Sequence, residues 1–225
     1  QPDPTFSSKS WTSHPVTSKW IRIPWRVSQG SAFDLESIIA GLLGERIGRA
    51  LLRSITTGNG TNQCFGYLDP TANGAPVGHT AAAAIVVSSD DLILLEHSVD
   101  SVYRESGIYA MNDKTLASLR LLKDTTGRPL WTASQNVVAG VPGLINGRRY
   151  AINRYAPDIV SASTPISFGD FYKYKLRRTS SRLTTARERF AEFLQTGLML
   201  STFADGRLLR VGSDAESPIA SLKMA

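Results

Sequence analysis

The chain has 225 residues, 42% of them hydrophobic and 20% charged, with a net charge of +6, values ordinary for a globular protein of one large or two small domains with a sizeable core. That charge permits contact with nucleic acid or an acidic partner without requiring one, and the single cysteine, Cys64, excludes an internal disulfide and a cysteine-built zinc site. The longest apolar run, Ala81 to Val87, is seven residues, far short of a membrane span.

Gln1-Pro2-Asp3-Pro4 carries neither an initiating methionine nor a basic-then-apolar signal, and reads as a cut end, produced by processing or as the edge of a fragment. Residues 1–18, rich in Ser, Thr and Pro, read as a mobile arm or one side of a loop. Lys19 to Val27 then alternates, with Ile21, Ile23, Trp25 and Val27 on one face and Trp20, Arg22 and Arg26 on the other, which predicts a strand. Pro24 places that strand at a sheet edge.

A long amphipathic helix follows. Leu35, Ile38, Ile39, Leu42, Leu43, Ile47, Ala50, Leu51 and Ile55 recur at three- and four-residue steps. Ser31 or Asp34 caps it and Gly58 stops it, giving about 24 residues, or roughly 36 Å. Gly41, Gly44 and Gly48 share one side of it. They read either as a strip that a neighbouring backbone approaches or as neutral residues on a helix held by its apolar face. The glycine-polar turn Thr57-Gly58-Asn59-Gly60-Thr61 follows its helix, whereas a phosphate loop precedes one, so no phosphate cradle is indicated.

Leu68 to His79 reads as loop, and Ala81 to Val87 as a short buried strand or helix. A second helix is expected from Ser89 or Asp90 to Glu105, with Leu92, Leu95, Val99 and Val102 on its apolar face. Ile108 to Met111 is a short strand, and Asn112 caps a third helix buried through Leu116, Leu119 and Leu122. From Pro142 onward the pattern is mostly β: Arg149–Arg154, Ile166–Arg177, Leu194–Phe203 and Leu208–Val211. Asp205-Gly206 reads as a two-residue hairpin turn. The class is α+β.

His14, His79 and His97 share no ligand spacing with one another or with Cys64, and no nucleophile or metalloprotease signature occurs, so neither a metal, a cofactor nor an enzyme is expected. Asp90-Asp91 falls at a helix start, where it caps. The basic stretch 171–189 holds Lys173, Lys175, Arg177, Arg178, Arg182, Arg187 and Arg189, interleaved with Phe171, Tyr172 and Tyr174. It reads as a basic strand used at subunit interfaces, with a nucleic-acid-binding module as the alternative.

The order of several short motifs resembles the major capsid proteins of tailed bacteriophages, with the shell fold named after phage Hong Kong 97. They are Ser31-Ala32-Phe33-Asp34-Leu35-Glu36, Glu45-Arg46-Ile47-Gly48-Arg49-Ala50, the Thr57–Thr61 turn leading to Gly66, Tyr109–Thr115, Leu122-Lys123-Asp124, Gly127-Arg128-Pro129-Leu130-Trp131, Ile166–Phe171 and Ala204–Arg207. The resemblance covers roughly residues 16 to 210. It implies a truncated extended loop whose returning strand is 1–28, and a peripheral domain at 29–88 with its spine helix at 33–57. It further implies an axial domain at 89–160 and a peripheral sheet with hairpin at 161–225.

By that resemblance the chain is a structural shell subunit of a phage or prophage icosahedral head. Its partners are copies of itself in pentamers, hexamers and the shell, packaged DNA as a non-specific neighbour, and a scaffold or maturation protease. No membrane is involved, and the protein resides in the virion capsid after assembly in the bacterial cytoplasm. The Lys–Asn cross-link of some family members finds lysines here, Lys9 and Lys19, but no matched partner. A bacterial nanocompartment shell is an alternative within the same fold. The expected interface residues are Trp20, Trp25, Arg46, Arg49, Arg177, Arg178 and Arg182, because tryptophan and arginine anchor interfaces.

Overall fold

The computed structural model describes residues 10–31, 33–69, 74–123, 126–128, 144–209 and 216–225; Lys9, Asp124, the Pro129-Leu130-Trp131 tripeptide and the Val211 end of the last expected strand lie outside them. The chain opens with β1 (His14–Thr17), β2 (Ile21–Pro24), α1 (Trp25–Gly30) and α2 (Leu35–Thr57). Then come β3 (Val77–Thr80), α3 (Ser89–Ser98), α4 (Ser101–Arg104), β4 (Ile108–Met111), α5 (Asp113–Arg120) and β5 (Tyr150–Ile152). The last elements are β6 (Ile166–Gly169), β7 (Tyr174–Arg178), β8 (Arg182–Ala186), β9 (Gln195–Leu208) and β10 (Ile219–Lys223), with 3-10 turns at Phe171–Lys173 and Glu188–Phe193. They form two compact units, one from the residues up to Phe65 with Leu176–Gly206, the other from Gly66–Lys175 with Arg207–Ala225. The division thus falls inside the segment read as 29–88.

In the first unit β9 is the central strand. β1 and β2 run antiparallel to it in tandem, β1 against Ser201–Ala204 and β2 against Gln195–Leu198. β7 and β8 also pair with β9, β8 antiparallel against Gly197–Ser201. Because β2 and β8 claim overlapping stretches of β9, they occupy its opposite edges. Strand alternation turns Leu198, Leu200 and Ala204 toward α2, where they meet Leu43, Ile47 and Leu51. Each fully buried leucine or isoleucine among them contributes about 1.5–3 kcal/mol.

The Asp34 carboxylate caps α2 by accepting the Ser37 amide at 3.3 Å. Gly58 ends the helix, its amide donating to the Ser54 carbonyl at 2.9 Å. A Cβ at Gly58 would collide with the Cys64 carbonyl, so the following turn packs only against glycine.

Several expectations are corrected in this unit. β1 (His14–Thr17) is a strand within the Ser/Thr/Pro-rich segment read from its composition as a mobile arm or one side of a loop. The strand read to Val27 stops at Pro24, after which the Trp25 amide donates to the Leu194 carbonyl at 2.8 Å and the chain turns into α1. On α2 the buried stripe is narrower than the periodicity implied, since Ile38 and Leu42 are about half exposed. Asp205-Gly206 is no hairpin: β9 runs through it, and neither residue takes the positive φ such a turn needs. Asp205 is buried instead, and its carboxylate accepts the Thr12 amide at 2.8 Å.

The second unit carries a sheet in the order β3-β10-β6-β4-β5. β10–β6 and β6–β4 are antiparallel, and the outer pairs β10–β3 and β4–β5 are parallel. α3 and α5 supply Leu92, Leu95, Leu116 and Leu119, and the residue after α3 supplies Val99, to a core with Tyr109, Met111, Ile166, Phe168, Leu222 and Met224. Val77–Thr80 is a strand within the stretch read mostly as loop, while Ala81–Val87 forms neither strand nor helix. The helix read as 89–105 breaks after Ser98, where the Arg104 guanidinium donates to the freed His97 and Val99 carbonyls at 3.3 and 3.0 Å. The expected strand 166–177 is interrupted by the 3-10 turn, whose start is capped by the Asp170 carboxylate accepting the Tyr172 amide at 3.0 Å.

Candidate subunit interface

Trp20 and Trp25 flank β2, and both are half-buried. The Trp25 indole Nε1 donates to the Thr196 hydroxyl at 3.0 Å, which fixes the ring beside the start of β9. Trp20 meets Phe190 edge-on with centroids 5.9 Å apart. The Arg22 guanidinium lies 4.7 Å from the centre of the Phe190 ring, and that of Arg189 lies 5.8 Å from both the Phe190 and Trp20 rings. Gly197 makes this stack possible, because a Cβ there would overlap Phe190 and stand 3.0 Å from Trp20. Each tryptophan therefore has packing partners within its own unit, with a remaining face toward solvent.

Arg46 and Arg49 are exposed on α2. Arg49 pairs with Glu45 one turn earlier at 3.2 Å, with both side chains more than half exposed, so the pair adds little to stability. Arg46 has no ion-pair partner among the described residues. Gly41, Gly44 and Gly48 face open space, with nothing beyond their own helix backbone within 4 Å of where a Cβ would stand.

Arg177, Arg178 and Arg182 surround the break between β7 and β8, all exposed and without an ion pair among the described residues. The structure brings these three together, whereas Trp20 with Trp25 and Arg46 with Arg49 belong to other parts of the same unit. The aromatic residues of the basic stretch do not form one platform. Phe171 packs edge-on against Tyr67 at 5.2 Å, Tyr174 rests on the Ala75–Leu208–Ile219 cluster, and only Tyr172 is exposed. Lys173 sits 5.5 Å from the Tyr103 ring.

Sequence reasoning missed Arg22, Arg189 and Phe190 as a cluster. The available signal was Gly197, a glycine inside an otherwise apolar strand, which marks close approach of another group.

Titration adds little interfacial chemistry. Burial pushes the Cys64 thiol up, and the Asp205 charge pushes the same way, so this cysteine is an unreactive core residue. Burial and the hydrogen bond to Glu96 raise the Tyr109 phenol well above its usual range. No group of His, Cys, Asp and Glu side chains fit to hold a metal ion occurs among the described residues, and no helix among them is long and apolar enough to cross a membrane.

No curated protein sequence matches the chain. Solved structures do. The capsid of an empty GTA particle superposes with a TM-score of 0.79 at 25% identity, over 96% of this chain and 74% of that one. The capsid of the native GTA particle gives 0.79 at 26% identity, over 96% and 73%. A structure from Microbacterium phage Oxtober96 gives 0.68 at 18% identity, over 96% and 73%, a likeness of fold. The family model for the phage capsid family matches residues 1–213. With the α+β architecture, the long helix and the family match in agreement, the chain belongs to the phage capsid family.

Proposed function

We infer that the chain is a structural shell subunit of a phage or prophage head, and that it assembles by contact with copies of itself. The family match across residues 1–213 carries this reading, and the capsids of GTA particles among the similar structures support it. The place of such a protein is the virion capsid. The unit built around α2 serves as the peripheral domain and the unit built around α3 and α5 as the axial domain, the latter gathering into pentamers and hexamers. Packaged DNA is a non-specific neighbour of the shell, and a scaffold or maturation protease acts during assembly in the bacterial cytoplasm.

Trp20, Trp25, Arg46, Arg49, Arg177, Arg178 and Arg182 are the interface residues of this reading. Arg46, Arg177, Arg178 and Arg182, which make no ion pair among the described residues, support it, because an exposed guanidinium gains most where a second surface desolvates it. Individually weak contacts let a misplaced subunit leave, and their sum holds the closed surface.

Sedimentation velocity of the full chain over a wide concentration range tests the reading. Growth by mass action into oligomers larger than dimers is the expected result. A chain that stays monomeric throughout, yet shifts on adding DNA in a salt-sensitive way, overturns it in favour of the nucleic-acid module.

A further inference from the structure

The charge of the chain is unevenly divided. The first unit, Gln1–Phe65 with Leu176–Gly206, holds twelve lysines and arginines against seven carboxylates, so +5 of the net +6 lies in it. Part of that excess is ordered along one helix. Arg46, Arg49 and Arg53 of α2 are all exposed, and at about 100° per residue they share an arc of about 60°, off the buried stripe of Leu43, Ile47 and Leu51. Glu45 pairs with Arg49 at 3.2 Å. Arg46 and Arg53 make no ion pair among the described residues, and no carboxylate follows Glu45 in the sequence until Asp69.

The stripe runs on into a turn of neutral donors. The Asn59 Oδ1 accepts both the Thr61 amide at 3.1 Å and the Gln63 Nε2 at 2.8 Å, which fixes the orientation of the Asn59 amide. Its Nδ2 hydrogens are left without a partner among the described residues. Asn59, Thr61 and Asn62 are exposed. Guanidinium groups beside side-chain amides and hydroxyls are the set that holds phosphate oxygens without reading a base.

Every copy of the chain repeats the same excess of positive charge, so a polyanion complements this stripe better than a second copy does. Arg46 to Arg53 span about 10 Å at the helical rise. Duplex DNA presents a phosphate about every 3.4 Å along each strand, so about three phosphates lie alongside the three arginines. The gain comes from counterions released by the nucleic acid. It is therefore open to arginines that water already satisfies within the subunit.

We propose that the Arg46–Arg49–Arg53 stripe of α2, with the Asn59–Asn62 turn, binds the phosphate backbone of nucleic acid without sequence preference. The proposal rests on the shell-subunit reading, in which enclosed DNA is a neighbour of the shell. It gives Arg46 and Arg49 that nucleic acid as partner in place of a neighbouring copy.

The test is binding of the full chain to a short mixed-sequence duplex DNA across a salt series, with sedimentation of the same proteins without DNA. Each phosphate contact removed lowers the slope of log affinity against log salt by about 0.9. Arg53→Gln is expected to lower it by about that amount, and the triple variant Arg46→Gln, Arg49→Gln, Arg53→Gln by about 2.7. Replacing all three by lysine is expected to keep the slope, because the charge and not the guanidinium fork sets it. The positions are exposed, so the unfolding midpoint and self-association without DNA are expected to stay unchanged in all three proteins.

An unaltered chain without salt-dependent DNA binding overturns the proposal, and so does a triple glutamine variant that keeps the full slope. Loss of the slope on changing Arg177, Arg178 and Arg182 to glutamine instead overturns it in favour of that stretch. Weakened self-association of the triple variant with unchanged DNA binding overturns it and returns Arg46 and Arg49 to a subunit contact. A chain that binds DNA through the stripe yet never associates overturns the shell reading and leaves the phosphate contact standing.

Discussion

Ser18 and Leu200 exchange two hydrogen bonds across a gap in the sheet. The Ser18 amide donates to the Leu200 carbonyl at 2.8 Å, and the Leu200 amide donates to the Ser18 hydroxyl at 2.9 Å. β1 and β2 are thereby joined along β9 although regular pairing lapses between them. Thr179 does the same on the opposite edge. Its amide donates to the Phe203 carbonyl at 2.9 Å, and the Phe203 amide donates to its hydroxyl at 3.0 Å. Both interruptions of the strands flanking β9 are thus bridged by a hydroxyl that accepts a main-chain amide of β9.

Ser18→Ala leaves the Leu200 amide unsatisfied in a part-buried setting and is expected to cost about 1–3 kcal/mol. Thr179→Val removes the matching acceptor at an exposed site, where water replaces it, and is expected to cost less than about 1 kcal/mol. Urea unfolding of the dissociated chain measures both. Equal losses at the two sites would contradict the distinction drawn from burial.

Gly197→Ala forces a methyl into the Phe190 ring and against Trp20. The expected cost is about 1–3 kcal/mol, with a change in tryptophan fluorescence as the Trp20 stack opens. Adding Phe190→Ala is expected to recover part of the loss, since it removes the group the methyl strikes. A fully additive double variant would show that the two residues do not clash.

Asp91 gives the acid limb of stability. Burial acts to raise its carboxyl, but the Ser88 amide and hydroxyl at 2.8 Å and His79 Nε2 at 3.0 Å outweigh it and hold the group below its ordinary range. A depressed pKa stabilises the fold above the unfolded value of about 3.9, and that contribution is lost as pH falls through the folded value. Stability should therefore decline below about pH 4, and Asp91→Asn should lower stability at neutral pH while flattening that decline. The same slope in both proteins would exclude Asp91 as its source.

Gly41→Ala, Gly44→Ala and Gly48→Ala each meet open space, and each is expected to stabilise the dissociated chain by about 1 kcal/mol through helix propensity. Thermal unfolding checks this. Association measured on the same proteins separates the two readings of these glycines. Weakened assembly of a more stable chain marks a strip that a neighbour approaches, and unchanged assembly marks neutral positions.

The long helix was legible because its periodicity and caps agree from Asp34 to Gly58, as were the starts of α3 and α5 from Ser89 and Asn112. Other elements were hidden by burial and by tertiary partners. Ile219–Lys223 shows no alternation because β10 lies inside its sheet, with four of its five residues buried. Asp205-Gly206 carries a turn signal, yet the Thr12 amide holds the Asp205 carboxylate and the strand runs on. The two-residue turn lies instead at Asn146-Gly147, at φ 50° and 75°, where Ile145 and Arg148 pair. That Asn-Gly signal was present in the sequence. For the interface, residue type pointed to exposed arginines, but the aromatic stack around Phe190 joins residues some 170 positions apart and needed the sheet register.

The most direct measurement is electron microscopy of the full chain expressed and purified at high concentration. Closed shells, or five- and sixfold rings of uniform size, are the predicted result. Monodisperse single subunits under all conditions, with no ring or shell, would contradict the account.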